Sequence, residues 1–322
     1  MRIIFFIIFS LFFLQNAYCC KPGEFIPGVA KEIVSVFCAP EFEDAVKEIA
    51  REFENKNTKV QLYLRVSGSR ELGYIIKEKK FVSRVDIIIS SSPEVIEDFL
   101  LPEYLDWYIT FGKDELCLAF TQKSKYSNQI NEKNWHKVIS QKGVKISRVD
   151  ENLDPLGYRT LISWKLADSY FKENISQELF KNCLPANIYP KEDDIVLSLK
   201  AGDADYSFEY LSIAKRESLR FIKLPPQINL GDTSFLALYD KASVSVSSKE
   251  RNRFIELKGK PITFAIGFLK GSISKDWPKK FFKFLFSQEA QNIFKKYGVE
   301  IDLRYCQGSI TQEFKELCLP KE

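Results

Sequence analysis

The chain has 322 residues, 45% hydrophobic, 14% aromatic and 28% charged. That supplies ample material for a core, and the length suits two domains or lobes. With 47 basic and 43 acidic residues the net charge is only +4, and no dense Lys/Arg tract argues for nucleic acid as a partner.

The first element is a targeting segment. Arg2 supplies a positive start, and residues 3–14 are apolar apart from Ser10. Such a run is too short to span a bilayer, which takes about 20 residues. It reads as a secretory signal peptide, residues 1–19, with Ala17 and Cys19 as the small residues before the cleavage point. Cys20 then begins the mature chain, and a lipid anchor on Cys20 or Cys19 is an option that bulky Tyr18 opposes. The remainder is expected to be extracytoplasmic.

Strands and helices then alternate. "EIVSVFC" (32–38) is an apolar strand. The next stretch places Phe42, Ala45, Val46, Ile49, Ala50 and Phe53 at helical spacing. "VQLYLRV" alternates with Val60, Leu62, Leu64 and Val66 on one face. "SGSREL" opens a second helix, and "VDIIIS" is a short buried strand. This order predicts a parallel sheet covered by helices. "DELCLAFTQ" leaves the first lobe; residues 121–257 repeat the alternation, with a helix over 160–171 and strands at "VKISRV" and "ADYSFEY". "KPITFAIGF" (260–268) returns, and one long aromatic element, ending at Gly298, packs the first lobe's core. The expected fold is α/β, with two discontinuous lobes (20–120 plus 258–322, and 121–257) hinged around a cleft.

Of the seven cysteines, Cys38, Cys117 and Cys183 read as buried small hydrophobes, and an oxidising compartment favours a Cys306–Cys318 disulfide. The one histidine, His136, has polar sequence neighbours and reads as a surface residue. Its solitude opposes His-dependent hydrolysis and paired-histidine zinc sites.

Three strand-to-helix turns remain: "FCAPEFED", "VSGSREL" and "LDPLGYR". Each offers backbone N–H groups at a helix start, where the helix dipole favours an anion. Taken singly, Ser69 and Asp154 are ordinary caps, and Glu209 in "DYSFEY" is an ordinary ion-pairing acid.

"DWYITFGKDELCLAFTQKSKYSNQINEKNW", "LDPLGYRTL", "GDADYSFEYLSIAK" and "GKPITFAIGF" resemble the archaeal-type tungstate/molybdate-binding proteins of ABC importers, from about Ile33 to about Gly298. The resemblance implies a type II periplasmic-binding-protein fold, an oxyanion held between the lobes, delivery to an ABC permease in the membrane, and no enzymatic activity or cofactor beyond the transported tungstate or molybdate. It implies that Asp154 and Glu209 bind the Mo or W centre, which can expand from four to six oxygen neighbours as sulfate and phosphate cannot. Ser69 and the N–H groups around Leu156, after Pro155, would bind the oxo groups. A monomer is expected.

Three positions depart from that family. Pro40 and Glu41 stand where Gly-Ser is usual, which removes a backbone donor and replaces a hydroxyl with a carboxylate. Leu156 stands where the family has Cys. Arg70, next to Ser69, is placed to compensate by pairing with Glu41 or by facing the anion. The candidate ligand-facing set is therefore Glu41, Ser69, Arg70, Asp154, Pro155, Leu156 and Glu209. The alternatives are a diverged binding protein for another oxyanion or a hard cation, and an enzyme using Asp154 and Glu209 as an acid/base pair.

Overall fold

A computed structural model describes residues 31–78, 85–301 and 304–319. The signal peptide and the Cys19/Cys20 anchor expected from the sequence lie outside the described residues.

In chain order, the first lobe contributes β1 (Glu32–Cys38), α1 (Glu43–Lys56), β2 (Val60–Val66), α2 (Ser69–Lys77), β3 (Ile87–Ser90), the short α3 (Pro93–Val95) and β4 (Trp107–Lys113). The second lobe follows with β5 (Leu116–Phe120), α4 (Trp135–Ile139), β6 (Ile146–Val149), α5 (Pro155–Phe171), α6 (Ile175–Asn182), β7 (Ile188–Tyr189), α7 (Glu192–Ala201), β8 (Tyr206–Tyr210), α8 (Leu211–Arg216), β9 (Arg220–Lys223) and α9 (Leu236–Tyr239). A hairpin of β10 (Ser243–Ser247) and β11 (Phe254–Lys258) comes next. The chain then returns for β12 (Thr263–Phe268), α10 (Asp276–Phe284), α11 (Gln288–Lys296) and β13 (Arg304–Gly308).

One sheet has the order β13-β4-β12-β3-β1-β2 and the other β7-β6-β8-β5-β9. β1 runs parallel to β2 and β3, whereas β12 pairs antiparallel with β3 and β4. β5 belongs to the second sheet, paired with β8 and β9, so the first crossing falls at residues 114–115, ahead of the 120/121 boundary read from the sequence. An apolar strand carries no mark of which sheet it joins. The two crossings touch: Asp114 N–H donates to the Ile262 carbonyl at 3.4 Å, and both flank the 229–230 backbone through Leu116 N–H to Asn229 O and Ile262 N–H to Leu230 O, each 2.8 Å. Two short connecting segments joined this way link the lobes, a connection of the kind from which hinges are built.

Local chemistry explains the elements. α1 buries Ala45, Val46, Ile49 and Phe53, one stripe at helical spacing, with Glu43 and Asp44 in its first turn and Lys56 in its last. The aromatic C-terminal region forms core, but as two helices. The Ser287 hydroxyl accepts Ala290 N–H at 3.2 Å, capping α11 and breaking the single element expected. Phe281 of α10 meets Phe53 with ring centroids 5.1 Å apart, and Phe282 meets Trp107 at 5.5 Å. Each fully buried Phe contributes about 1.5–3 kcal/mol. The Cys306–Cys318 disulfide is formed and holds the C-terminal segment, while Cys38, Cys117 and Cys183 are free and buried.

His136 is buried, against expectation, and stacks on Phe171 at 3.7 Å. Of the five residues of α4 only Lys137 is exposed; Trp135, His136, Val138 and Ile139 all face the core, and the polar neighbours 131–133 lie in the exposed turn before the helix. Among the described residues no helix is long and apolar enough to cross a membrane.

Candidate functional site

The carboxyl ends of β1, β2, β3 and β6 and the strand β8 bring the candidate residues to the cleft between the lobes, where open α/β sheets bind ligands. Glu41 lies in the tight turn Pro40–Phe42 that follows β1. Ser69 opens α2, with Gly68 before it. A Cβ on Gly68 would stand 2.5 Å from the Leu153 carbonyl oxygen and 3.0 Å from the Asp154 Cβ, so glycine lets the two lobes meet here.

Asp154 is the N-cap of α5. One carboxylate oxygen accepts Leu156 N–H at 2.8 Å, and the other accepts Ser69 N–H at 3.1 Å from the opposite lobe. Pro155 occupies the first helical position, where its missing N–H costs nothing, and leaves Leu156 as the first donor. Glu209, fully buried in β8, accepts Tyr210 N–H at 2.8 Å on one oxygen, and its other oxygen has no partner.

Glu41, Ser69, Asp154, Leu156 and Glu209 are thus gathered at one place, with Pro155. Arg70 does not join them as expected. It is buried, donates from Nε to the Asn152 carbonyl at 3.4 Å and from Nη2 to the Ser247 carbonyl, and stacks over Phe99 at 5.1 Å. It ties the first lobe to the second rather than pairing with Glu41. Side-chain direction at a helix start follows from packing, and Phe99 and the hairpin carbonyl draw this guanidinium away.

Neither Glu41 oxygen has a hydrogen-bond partner within the protein. Burial, reinforced by Asp154, pushes its carboxyl up to about 8, although Arg159 and the nearby Ser91 hydroxyl pull it down. Burial likewise raises Asp154, against the two N–H groups it accepts. Glu209 is pushed well up by burial, with Glu41 adding to the effect.

The sequence reading missed four residues here. Glu192 begins α7 and is 1% exposed, with both oxygens unpartnered. Burial, then Glu209, Glu41 and Asp154, push its carboxyl well up. In the sequence it is one acid of "KEDDIVL", which looks like the solvated first turn of a helix. Arg159 and Tyr210 lie inside quoted motifs but had no assigned role. Arg159 Nη1 donates to the Ser91 carbonyl and the Tyr210 hydroxyl oxygen, both at 2.7 Å. Ser91 N–H donates to the Ser69 hydroxyl at 3.0 Å, linking the β2 and β3 turns; the "SSSP" that follows β3 was its only signal.

A cavity of about 200 Å³ borders Tyr158 and Arg159 and is also lined by Glu94, Glu256, Lys258 and Lys260. None of the four clustered carboxylates lines it. Among the described residues no group of three or more His, Cys, Asp or Glu side chains is arranged to hold a metal ion. The site brings together carboxyl groups, hydroxyls, one buried guanidinium and two N–H donors from opposite lobes that the Asp154 carboxylate engages.

Comparison with known proteins agrees with this architecture. The family described as bacterial extracellular solute-binding protein matches residues 34–300. An uncharacterized solute-binding protein of Petrotoga mobilis is 33% identical over 271 residues, 84% of each chain. The molybdate/tungstate-binding protein WtpA of Pyrococcus abyssi is 28% identical, covering 94% of this chain and 95% of its own. Among solved structures, the periplasmic molybdate-binding protein of Azotobacter vinelandii superposes with a TM-score of 0.57 at 14% identity, over 83% of this chain and 99% of that one. At that identity the likeness shows a shared two-lobed α/β binding-protein fold.

Proposed function

Starting from the fact that this chain belongs to the bacterial extracellular solute-binding protein family, we propose that it captures a molybdate- or tungstate-type oxyanion outside the cytoplasm and presents it, as a monomer, to an ABC permease. The observation that carries this reading is the convergence of Ser69 N–H and Leu156 N–H, from opposite lobes, on the single carboxylate of Asp154. Donors that converge on one negative group across a hinge are what an anion needs to draw the lobes together. Glu209 keeps one oxygen uncommitted, and each Asp154 oxygen retains a second lone pair. Two such carboxylates suit an electron-poor Mo(VI) or W(VI) centre that can add oxygen neighbours. Sulfate and phosphate gain nothing from them. The name of the Pyrococcus abyssi relative supports the same ligand class.

Glu41 favours a second reading, a related protein that takes a different solute, because an unpartnered carboxyl replaces the hydroxyl expected in that turn. Calorimetry with tungstate, molybdate, sulfate, phosphate and divalent cations separates the two. The first reading expects tungstate or molybdate to bind at least about a hundredfold more tightly than sulfate, roughly 2.8 kcal/mol. Equal affinity for sulfate, or no binding of either heavy oxyanion, selects the second.

A further inference from the structure

Glu41 and Glu192 reach the cleft from opposite lobes, where the turn after β1 meets the start of α7. Both are almost completely buried, and none of their four carboxyl oxygens has a hydrogen-bond partner within the protein. The groups that act on Glu41 are Asp154, its own backbone N–H, Arg159 and the Ser91 hydroxyl, and Glu192, Glu209, Tyr210 and Cys38 also face it. Those that act on Glu192 are Glu209, Glu41, Asp154 and Asp193, and Arg216 also faces it. Neither arginine forms an ion pair with them, although the Arg159 charge opposes the rise of Glu41 and the Arg216 charge lies near Glu192. Arg159 is engaged with Ser91 and Tyr210, and Arg216 donates from Nη1 to the Glu41 main-chain carbonyl at 2.9 Å and from Nε to Glu217 at 3.3 Å. Among the described residues, no ion pair joins any cation to Glu41, Asp154, Glu192 or Glu209.

An ionised carboxylate buried without a cation or donor is costly, and the group takes up a proton instead. A dianion placed beside it strengthens that tendency. A protonated carboxyl group is also a donor, which an oxyanion requires. We propose that Glu41 and Glu192 are specificity-determining ligand contacts that hold the oxyanion as neutral acids, each donating an O–H to it, so that capture takes up protons from solvent. This inference rests on the oxyanion reading above. In the open form the two side chains face water and are ionised near neutral pH, as exposed glutamates with a pKa of about 4.3 are. Closure on the anion then draws in one proton per glutamate. The arrangement supplies the donors lost at Pro40 and Glu41.

The test is titration calorimetry of tungstate at neutral pH in two buffers of different ionisation enthalpy, with wild type, Glu41→Gln, Glu192→Gln and the double variant. The proposal expects wild type to take up between one and about two protons per tungstate, given exposed pKa values of about 4.3. It also expects wild-type affinity to fall as pH rises above neutral. Each single variant should lose about half of the uptake, and the double variant nearly all of it together with the pH slope. Thermal melts of the ligand-free variants confirm folding, and replacing a buried unpaired acid should leave them as stable as wild type or more so. Tungstate binding without proton uptake by wild type overturns this inference and leaves the oxyanion reading standing. Uptake undiminished in a folded double variant overturns it as well, because other groups then supply the protons. Loss of binding at every pH in both single variants would show that the ionised carboxylates hold the ligand, which also overturns it. Failure of wild type to bind any oxyanion removes both readings together.

Discussion

The Asp154 carboxylate on the second lobe accepts Ser69 N–H of the first lobe at 3.1 Å, and Leu156 N–H of its own helix at 2.8 Å. One side chain therefore caps α5 and bridges the cleft. Asp154→Asn preserves the cap, since Asn caps as well as Asp, but turns an amide donor toward Ser69 N–H. Asp154→Ala loses both functions. The expected outcome is weaker oxyanion binding in both variants, with the Ala variant about 1 kcal/mol less stable than the Asn variant. Chemical denaturation together with calorimetry checks it; binding unaffected by either change would remove Asp154 from the site.

Gly68 has no room for a side chain in the closed form, because a Cβ would lie 2.5 Å from the Leu153 backbone oxygen. Backbone on the far lobe can yield only if the lobes part. Gly68→Ala is expected to keep each lobe folded, to shift the protein toward an open form and to weaken ligand binding at least about tenfold, that is about 1.4 kcal/mol. Solution X-ray scattering with and without tungstate would show whether closure fails.

Arg70 gives a third test. Its bonds run to the Asn152 and Ser247 carbonyls, and its plane lies over Phe99. Both Arg70→Val and Arg70→Lys should therefore weaken closure, by about 1–3 kcal/mol where a buried carbonyl loses its donor, because lysine cannot reproduce the planar fork. Had Arg70 neutralised Glu41, lysine would rescue. Affinities of the two variants, each measured alone and on a Glu41→Gln background, distinguish the roles: additive effects are expected.

The pH dependence of the empty protein has a definite sign. Burial in the closed form pushes the Glu41 carboxyl up to about 8, from near 4.5 when exposed. The closed form then binds more protons than the open or unfolded chain between those values. A raised carboxyl pKa makes the closed form progressively less stable as pH rises through that window. Glu192 and Glu209, also raised by burial, act in the same direction. Scattering of the ligand-free protein should show the cleft opening between about pH 5 and about pH 8, and Glu41→Gln/Glu192→Gln should flatten that change.

By itself the sequence determined the alternation of strands and helices and the turns that place backbone donors at helix starts, and it favoured the Cys306–Cys318 pairing; a ligand role for Asp154 and Glu209 came only from the resemblance to a family. The alternation and the turns are local signals. Apolar period, helix caps and turn residues are set by neighbours a few positions away, and the pairing followed from compartment. Only the tertiary structure decided which sheet β5 joins, that His136 stacks on Phe171 inside the second lobe, that Arg70 reaches Ser247 instead of Glu41, and that Glu192 turns inward. Each depends on groups far apart in the chain: Arg70 and Ser247 are separated by 177 residues. A charged side chain's partner is chosen by what the fold packs around it, since desolvation and the reach of competing donors outweigh sequence proximity. The acids of "KEDDIVL" are chemically equivalent in the sequence, and it is the packing of α7 against the turn after β1 that buries Glu192 in the cleft.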